Sequence, residues 1–351
     1  MPKTTYLNRK AFSIENDDLR VTVTVEGGHI AEVFSKAAGV NPLWTPHWTT
    51  SEPSEFGPAQ EELFGNGVEA TLLCGILGHN TCLDLFGGPS PAEAAAGMTA
   101  HGEASILPYE ITEDGNTLHC RLPMPLAELD FERTITLHGA DVLIHEKVIN
   151  RTAMERPLAW TQHVTLSPPF LDPATTQFRT TADRAAVIES DLGEAPYLEA
   201  GKKFAWPHAP LADGKGTQNL QDMKPDAPAS SYVAARMISA AKAVSWTAWS
   251  PVSRLAFSYV WQPGDFPWLG IWEENRSRSF KPWNNTGVAR GMEFGTSPFP
   301  ESRRAMIERG RLLDTPTYKW LPARGELTAT YWIRTAVTDS IPETVSMPSV
   351  K

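Results

Sequence analysis

Hydrophobic and polar positions alternate with a period of two along much of the chain, most clearly in "LRVTVTVEGGHIAEVFS", "FERTITLHGADVLIHEKVIN", "SRLAFSYVW" and "GELTATYWIRTAV". Successive side chains of an extended strand point to opposite faces, so such runs predict half-buried strands. Their β-branched and aromatic residues sit beside turn signals at Gly27-Gly28, Asp114-Gly115 and Gly139-Ala140-Asp141. Helical signals are scarce. "SPAEAAAGM" near residue 90 opens on a Ser cap with Pro at the first position, and "SYVAARMISAA" near residue 231 has a helix-like pattern. The pattern therefore predicts an all-β chain, built as a large antiparallel sandwich with few short helices. No fixed-period repeat stands out, which argues against a propeller. The 29 prolines and 25 glycines are spread along the chain with no low-complexity linker between them, so residues 1–351 are expected to form a single domain.

Two stretches carry candidate chemistry. In "LAWTQHVTLSPPFLD", strand alternation puts Leu158, Trp160, Gln162, Val164 and Leu166 on one face and Ala159, Thr161, His163 and Thr165 on the other, before Pro168 and Pro169 end the strand. The second face reads as a polar surface with one histidine in it. In "NNTGVARGMEFGTSPFP", Glu293 shares a face with Ala289, Gly291 and Gly295, the smallest residues available. Repeated glycine in a strand marks a bulge or the close approach of another group, either a neighbouring strand or a ligand. Further polar and aromatic candidates are His79, Asn80 and Asp84 in "HNTCLDLFGGPSP", His101 in "MTAHGEAS", and Trp268, Trp272, Glu273, Glu274 and Asn275 in "FPWLGIWEENRS". Sugar sites combine groups that hydrogen-bond hydroxyls with aromatic rings that cover a pyranose face, and twelve tryptophans could supply the rings.

Composition narrows the class. A net charge of −10 with interspersed signs and no basic stripe argues against nucleic-acid binding. No apolar run is long enough to span a bilayer, and the N-terminal stretch lacks a signal-peptide core, so a cytoplasmic location is expected. Cys74, Cys82 and Cys120 are odd in number and lack paired ligand spacing, which favours reduced thiols. A zinc site from His79, His101 and His163 lacks the close spacing of a metal motif, whereas calcium held by loop oxygens is left open.

In the order and local pattern of these residues the chain resembles the aldose 1-epimerase, or galactose mutarotase-like, superfamily. A strand ending in Asn ("HEKVINRTAMERPLAW") leads to the histidine strand, "HG" at His101-Gly102 lies upstream, "MEFGTSPFP" lies downstream, and "GELTATYWIRT" closes the pattern. The resemblance implies a large, twisted antiparallel β-sandwich binding a small-molecule sugar in a cleft on one sheet. It implies His163 and Glu293 as catalytic residues, with Glu293 as base and His163 as acid during ring opening, and His101 as a substrate contact. Asp84, Asn80, Trp272 and Asp172 join them as candidate substrate contacts, and no metal or organic cofactor is required. Two departures leave the sugar unassigned. The arginine that typically precedes "HG" is absent from "GHNTCLDLFGGPS", and "VTLSPPFLD" replaces the usual "SYF"-like tail. A non-catalytic carbohydrate-binding protein of the same fold, or a glycoside hydrolase pairing Glu293 with Glu273 or Glu274, are the alternative readings.

Overall fold

The computed structural model describes residues 4–190 and 192–348. Among them, two large sheets account for most of the strands, and every strand pair within both sheets is antiparallel. The larger sheet has eleven strands. Its centre runs in the order His79–Leu83, Trp160–Leu166, Val288–Gly295, Trp268–Asn275 and Ala229–Met237, with four N-terminal strands beyond one side and Ala182–Val187 and Lys203–Ala205 beyond the other. The smaller sheet has eight strands centred on Leu255–Trp261, Glu326–Val337, Asp141–Asn150 and Leu129–His138.

The period-two alternation accounts for both sheets. In Leu129–His138 every second residue is buried, so one face meets the larger sheet and the other meets solvent. The core between the sheets joins Phe131, Ile135 and Tyr331 of the smaller sheet to Trp160, Val164, Val233, Ile271 and Phe294 of the larger one. The central strands of the larger sheet behave differently, being buried on both faces: all seven residues of Trp160–Leu166 are buried. Their outer face is roofed by Trp44, Trp48, Phe64, Leu72, Leu73, Phe86 and Trp283, which come from loops and short helices elsewhere in the chain. The face of Thr161, His163 and Thr165 is therefore an enclosed polar floor and not the solvated surface that the local pattern suggests.

Among the described residues the α-helices are four short segments: Pro58–Phe64, Ala70–Gly75, Pro91–Ala95 and Arg303–Arg309. The expected helix near residue 90 is present, with Ser90 accepting from the Glu93 amide and Glu93 reaching back to the Ser90 amide. The segment near residue 231 is instead the strand Ala229–Met237. It sends Val233, Ala235 and Met237 into the core and Tyr232 and Ala234 to the outer face, and it is hydrogen-bonded to a strand on each side. Two full ladders outweigh the few tenths of a kcal/mol per residue by which alanine favours a helix.

Candidate active site

Strand register brings the two catalytic candidates together. Thr161 pairs with Gly295 and Thr165 with Gly291, which sets His163 directly opposite Glu293. The same row continues to Asn80 on one side of His163, and to Gly270 and then Ala234 beyond Glu293. Directly opposed residues of an antiparallel pair share a face. The row therefore places an amide, an imidazole and a carboxyl side by side, followed by two of the smallest residues.

The carboxyl occupies space that only glycine leaves. A Cβ at Gly291 would collide with Oε1 of Glu293 and crowd Trp272, and one at Gly270 would collide with the Tyr232 hydroxyl. Nε2 of His163 lies 3.3 Å from Oε1 of Glu293, and the Tyr232 hydroxyl donates to Oε2 at 3.2 Å. On the other side of the imidazole, Nδ1 lies 3.2 Å from the Thr165 hydroxyl. Both groups are nearly out of water, at 8% exposure for His163 and 2% for Glu293. Burial disfavours charge on each: it pushes the Glu293 carboxyl up to about 8, and the His163 imidazole down to about 4. At neutral pH the pair consequently holds one proton, on the carboxyl, with the imidazole of His163 neutral beside it.

His163 and Glu293 line an open-mouthed cavity of about 110 Å³. His101 reaches the same cavity, its ring centroid 4.8 Å from that of His163. Its backbone is left-handed, and so is that of Gly102, where a Cβ would collide with the Leu83 carbonyl. That close approach explains why glycine follows the histidine. Burial pushes the His101 imidazole well below the ordinary histidine range, so it is uncharged beside its neighbour. The walls are aromatic. Trp44 stacks on Trp283 at 5.8 Å, Trp272 meets Trp283 edge-on at 5.9 Å, and the Arg278 guanidinium lies 5.3 Å from the Trp272 ring and 4.7 Å from the Trp283 ring.

Neither a protein-family model nor a curated protein matches the sequence. Solved structures do match, over nearly the whole chain. A proposed aldose 1-epimerase of Klebsiella pneumoniae superposes with a TM-score of 0.65 at 13% identity, covering 94% of this chain and 80% of that one. A galactose mutarotase-like protein of Clostridium acetobutylicum gives 0.61 at 12% identity, covering 95% and 98%. A galactose mutarotase related enzyme of Lactobacillus acidophilus gives 0.59 at 13% identity, covering 95% and 99%. This chain has the galactose mutarotase-like fold.

Within that fold, the residues singled out from the sequence divide sharply. His163, Glu293, His101 and Trp272 line one cavity. Asn80 is beside His163 in the row but fully buried, its amide without a partner and outside the cavity lining. Asp84 is corrected to a structural role. Its buried carboxylate is held by Arg303 at 2.7 and 2.8 Å and by Arg156 at 2.6 Å, and it lies outside the cavity lining. Asp172 is likewise removed from the site: it is exposed and closes its own turn, accepting from the Ala174 amide and the Thr175 hydroxyl. The carboxylates suggested for hydrolysis do not join Glu293 either. Glu273 faces the inter-sheet core, where it meets Arg290 and Tyr197, and Glu274 is engaged by Ser277 and Arg278. His79 turns away from His101 and His163 to bond Tyr259 and Gln162 between the sheets, and no cluster of three or more metal-ligating side chains occurs among the described residues.

Tyr232, Trp44, Trp283 and Arg278 also line the cavity and went unnoticed in the sequence. For Tyr232 a signal existed: in "SYVAARM" the period of two separates Tyr232 and Ala234 from Val233, Ala235 and Met237. The other three lie in loops, where no periodicity marks a side chain's direction.

Proposed function

We propose that this protein is an enzyme of the aldose 1-epimerase type, which interconverts the anomers of a free sugar by acid–base ring opening. The observation that carries the proposal is the direct opposition of His163 and Glu293, 3.3 Å apart on the floor of an open-mouthed cavity walled by tryptophans. The anomeric hydroxyl and the ring oxygen of an aldose share one carbon. An acid and a base held side by side are therefore matched to them.

The reaction needs one proton on the pair and no oxidant, metal or organic cofactor. The base takes the hydroxyl proton, the acid gives its proton to the ring oxygen, and the bond from that oxygen to the anomeric carbon breaks. Rotation about the bond between the first two carbons turns the aldehyde over. The ring oxygen then re-adds to the other face, and the protons return. Before a sugar binds, burial keeps the proton on Glu293. Hydroxyls of a bound sugar give the carboxyl hydrogen-bond partners it otherwise lacks, which favours its ionised form and moves the proton to His163. That is the state in which Glu293 acts as base and His163 as acid. His101 is proposed to contact substrate, and Trp272 and Trp283 to cover a pyranose face.

No helix among the described residues is long and apolar enough to cross a membrane. We propose a cytoplasmic location and a single-domain organisation over residues 1–351, in keeping with the three buried free thiols and the shared core of the two sheets. The test is polarimetry of a panel of freshly dissolved aldoses and aldose phosphates. The reading expects faster decay of optical rotation for at least one of them. Binding without any acceleration would replace the enzyme with a carbohydrate-binding protein of the same fold, and release of reducing ends from a glycoside would replace it with a hydrolase.

A further inference from the structure

Glu293 has two oxygens with different neighbours. Oε1 faces His163, whereas Oε2 receives a hydrogen bond from Tyr232, the only side chain besides His163 that contacts the carboxyl by hydrogen bond or ion pair among the described residues. The tyrosine reaches it from two strands away. Tyr232 stands opposite Trp272, one row along from Gly270, and its phenol leans across the space that a Cβ at Gly270 would fill. Gly291 leaves the matching space for Oε1. A glutamate carboxyl otherwise rotates freely about its last torsion, a broad, roughly two-fold well. Here one end is pinned.

We propose that Tyr232 is a positioning residue for the acid–base pair: its hydroxyl, admitted by Gly270, holds the plane of the Glu293 carboxyl so that the other oxygen faces His163. This rests on the acid–base reading of the site and adds to it a group that moves no proton itself. Tyr232 is suited to the task because burial and the adjoining carboxyl push its phenol well above the ordinary range, so it stays a donor at every working pH. Arg278 and Glu69 line the same cavity but make no hydrogen bond or ion pair to Glu293 among the described residues, and three titratable side chains stand nearer. The Cys82 thiol is pushed up by burial, His101 is uncharged, and His163 is the partner itself. A donor on Oε2 stabilises the ionised carboxyl, so its removal must raise the pH at which Glu293 gives up its proton.

The experiment reads that titration without relying on turnover. Difference infrared spectroscopy, with Glu293→Gln as the subtraction reference, follows the protonated carboxyl band of Glu293 against pH. Tyr232→Phe is expected to move the loss of that band upward by roughly one pH unit. It should also lower kcat for the best sugar roughly tenfold, with little change in KM. Replacing Tyr232 by 3-fluorotyrosine keeps the shape and strengthens the donor, so it should move the band downward, and this variant serves if Tyr232→Phe does not fold. Gly270→Ala, which retains the phenol but fills its slot, should move the band upward as Tyr232→Phe does. Coincident titrations in wild type, Tyr232→Phe and the fluorinated protein would overturn the assignment. If no sugar is turned over by the wild type, the functional reading fails on its own while the infrared result still decides the role of Tyr232.

Discussion

Two buried carboxyls from other strands, one toward each face of Trp160–Leu166, have opposite fates. On the inner face, Glu146 receives hydrogen bonds from Arg133 at 2.7 Å, Gln162 at 2.5 Å, Trp160 at 3.2 Å and Tyr331 at 2.8 Å. Arg133 is completed in turn by the Gly28 carbonyl and Thr81, and Gln162 accepts from His79. On the outer face, Glu293 has one tyrosine and one imidazole, and no Lys or Arg paired with it among the described residues. The two are about equally buried, at 0% and 2% exposure. Equal burial therefore comes with very different sets of partners. A saturated, charge-paired network fixes structure, whereas a poorly satisfied acid beside a neutral imidazole holds a proton that it can trade.

The largest separation between the faces should come from Glu146→Ala. It strands the Arg133 guanidinium in the core without its counter-charge, and chemical denaturation should register a loss of about 3–5 kcal/mol. A variant that melts like wild type would show that the inner network is not the structural element described. Glu293→Gln and His163→Ala should do the reverse, lowering mutarotation by about 10²- to 10⁴-fold with the fold intact by circular dichroism.

The pH dependence sharpens the contrast further. Glu293 titrates near 8 in the folded protein against an ordinary 4.5, so the folded state holds the extra proton and stability falls as pH rises through that window. His163, lowered to about 4 from 6.5, makes the opposite contribution, a gain with rising pH that is complete by about 6.5. Between pH 6.5 and 8 only the glutamate slope remains. Wild type should therefore lose about 1–2 kcal/mol across that interval relative to Glu293→Gln. Parallel stability curves for the two proteins would contradict the raised carboxyl. The same pair should confine mutarotation to a bell between about 4 and about 8, where it carries one proton. The smallest effect is expected at the wall: Trp283→Ala should weaken sugar binding by roughly three- to tenfold in calorimetry, leaving the bell in place.

The fold was legible because alternation is a local property, and the period of two in "FERTITLHGADVLIHEKVIN" survives as Leu129–His138 and Asp141–Asn150. The convergence of His163 and Glu293 was legible from residue types, glycine spacing and the resemblance, since each strand announces its own faces. What failed was non-local. Nothing around Asp84 says that Arg303, 219 positions away, will clamp it, and an aspartate beside a turn has the same neighbours whether it binds a sugar or an arginine. The Thr161–His163–Thr165 face looked solvated because its roof is assembled from remote loops. Tyr232 was hidden by the alanines around it. They suggest a helix in isolation, and in the sheet they keep the row beyond Glu293 small enough for a phenol to lean over.

The order of strands in the larger sheet has a consequence for synthesis. Trp160–Leu166 gains its second neighbour only when Val288–Gly295 has been made, and the smaller sheet is completed only by Glu326–Val337, which lies between Leu255–Trp261 and Asp141–Asn150. A nascent chain emerging from the ribosome thus carries two apolar sheets with unpaired edges for most of its translation. Premature termination anywhere before Val288 should yield insoluble material in place of a weakened protein, and folding of the chain in the cell should depend on chaperones that shield those edges.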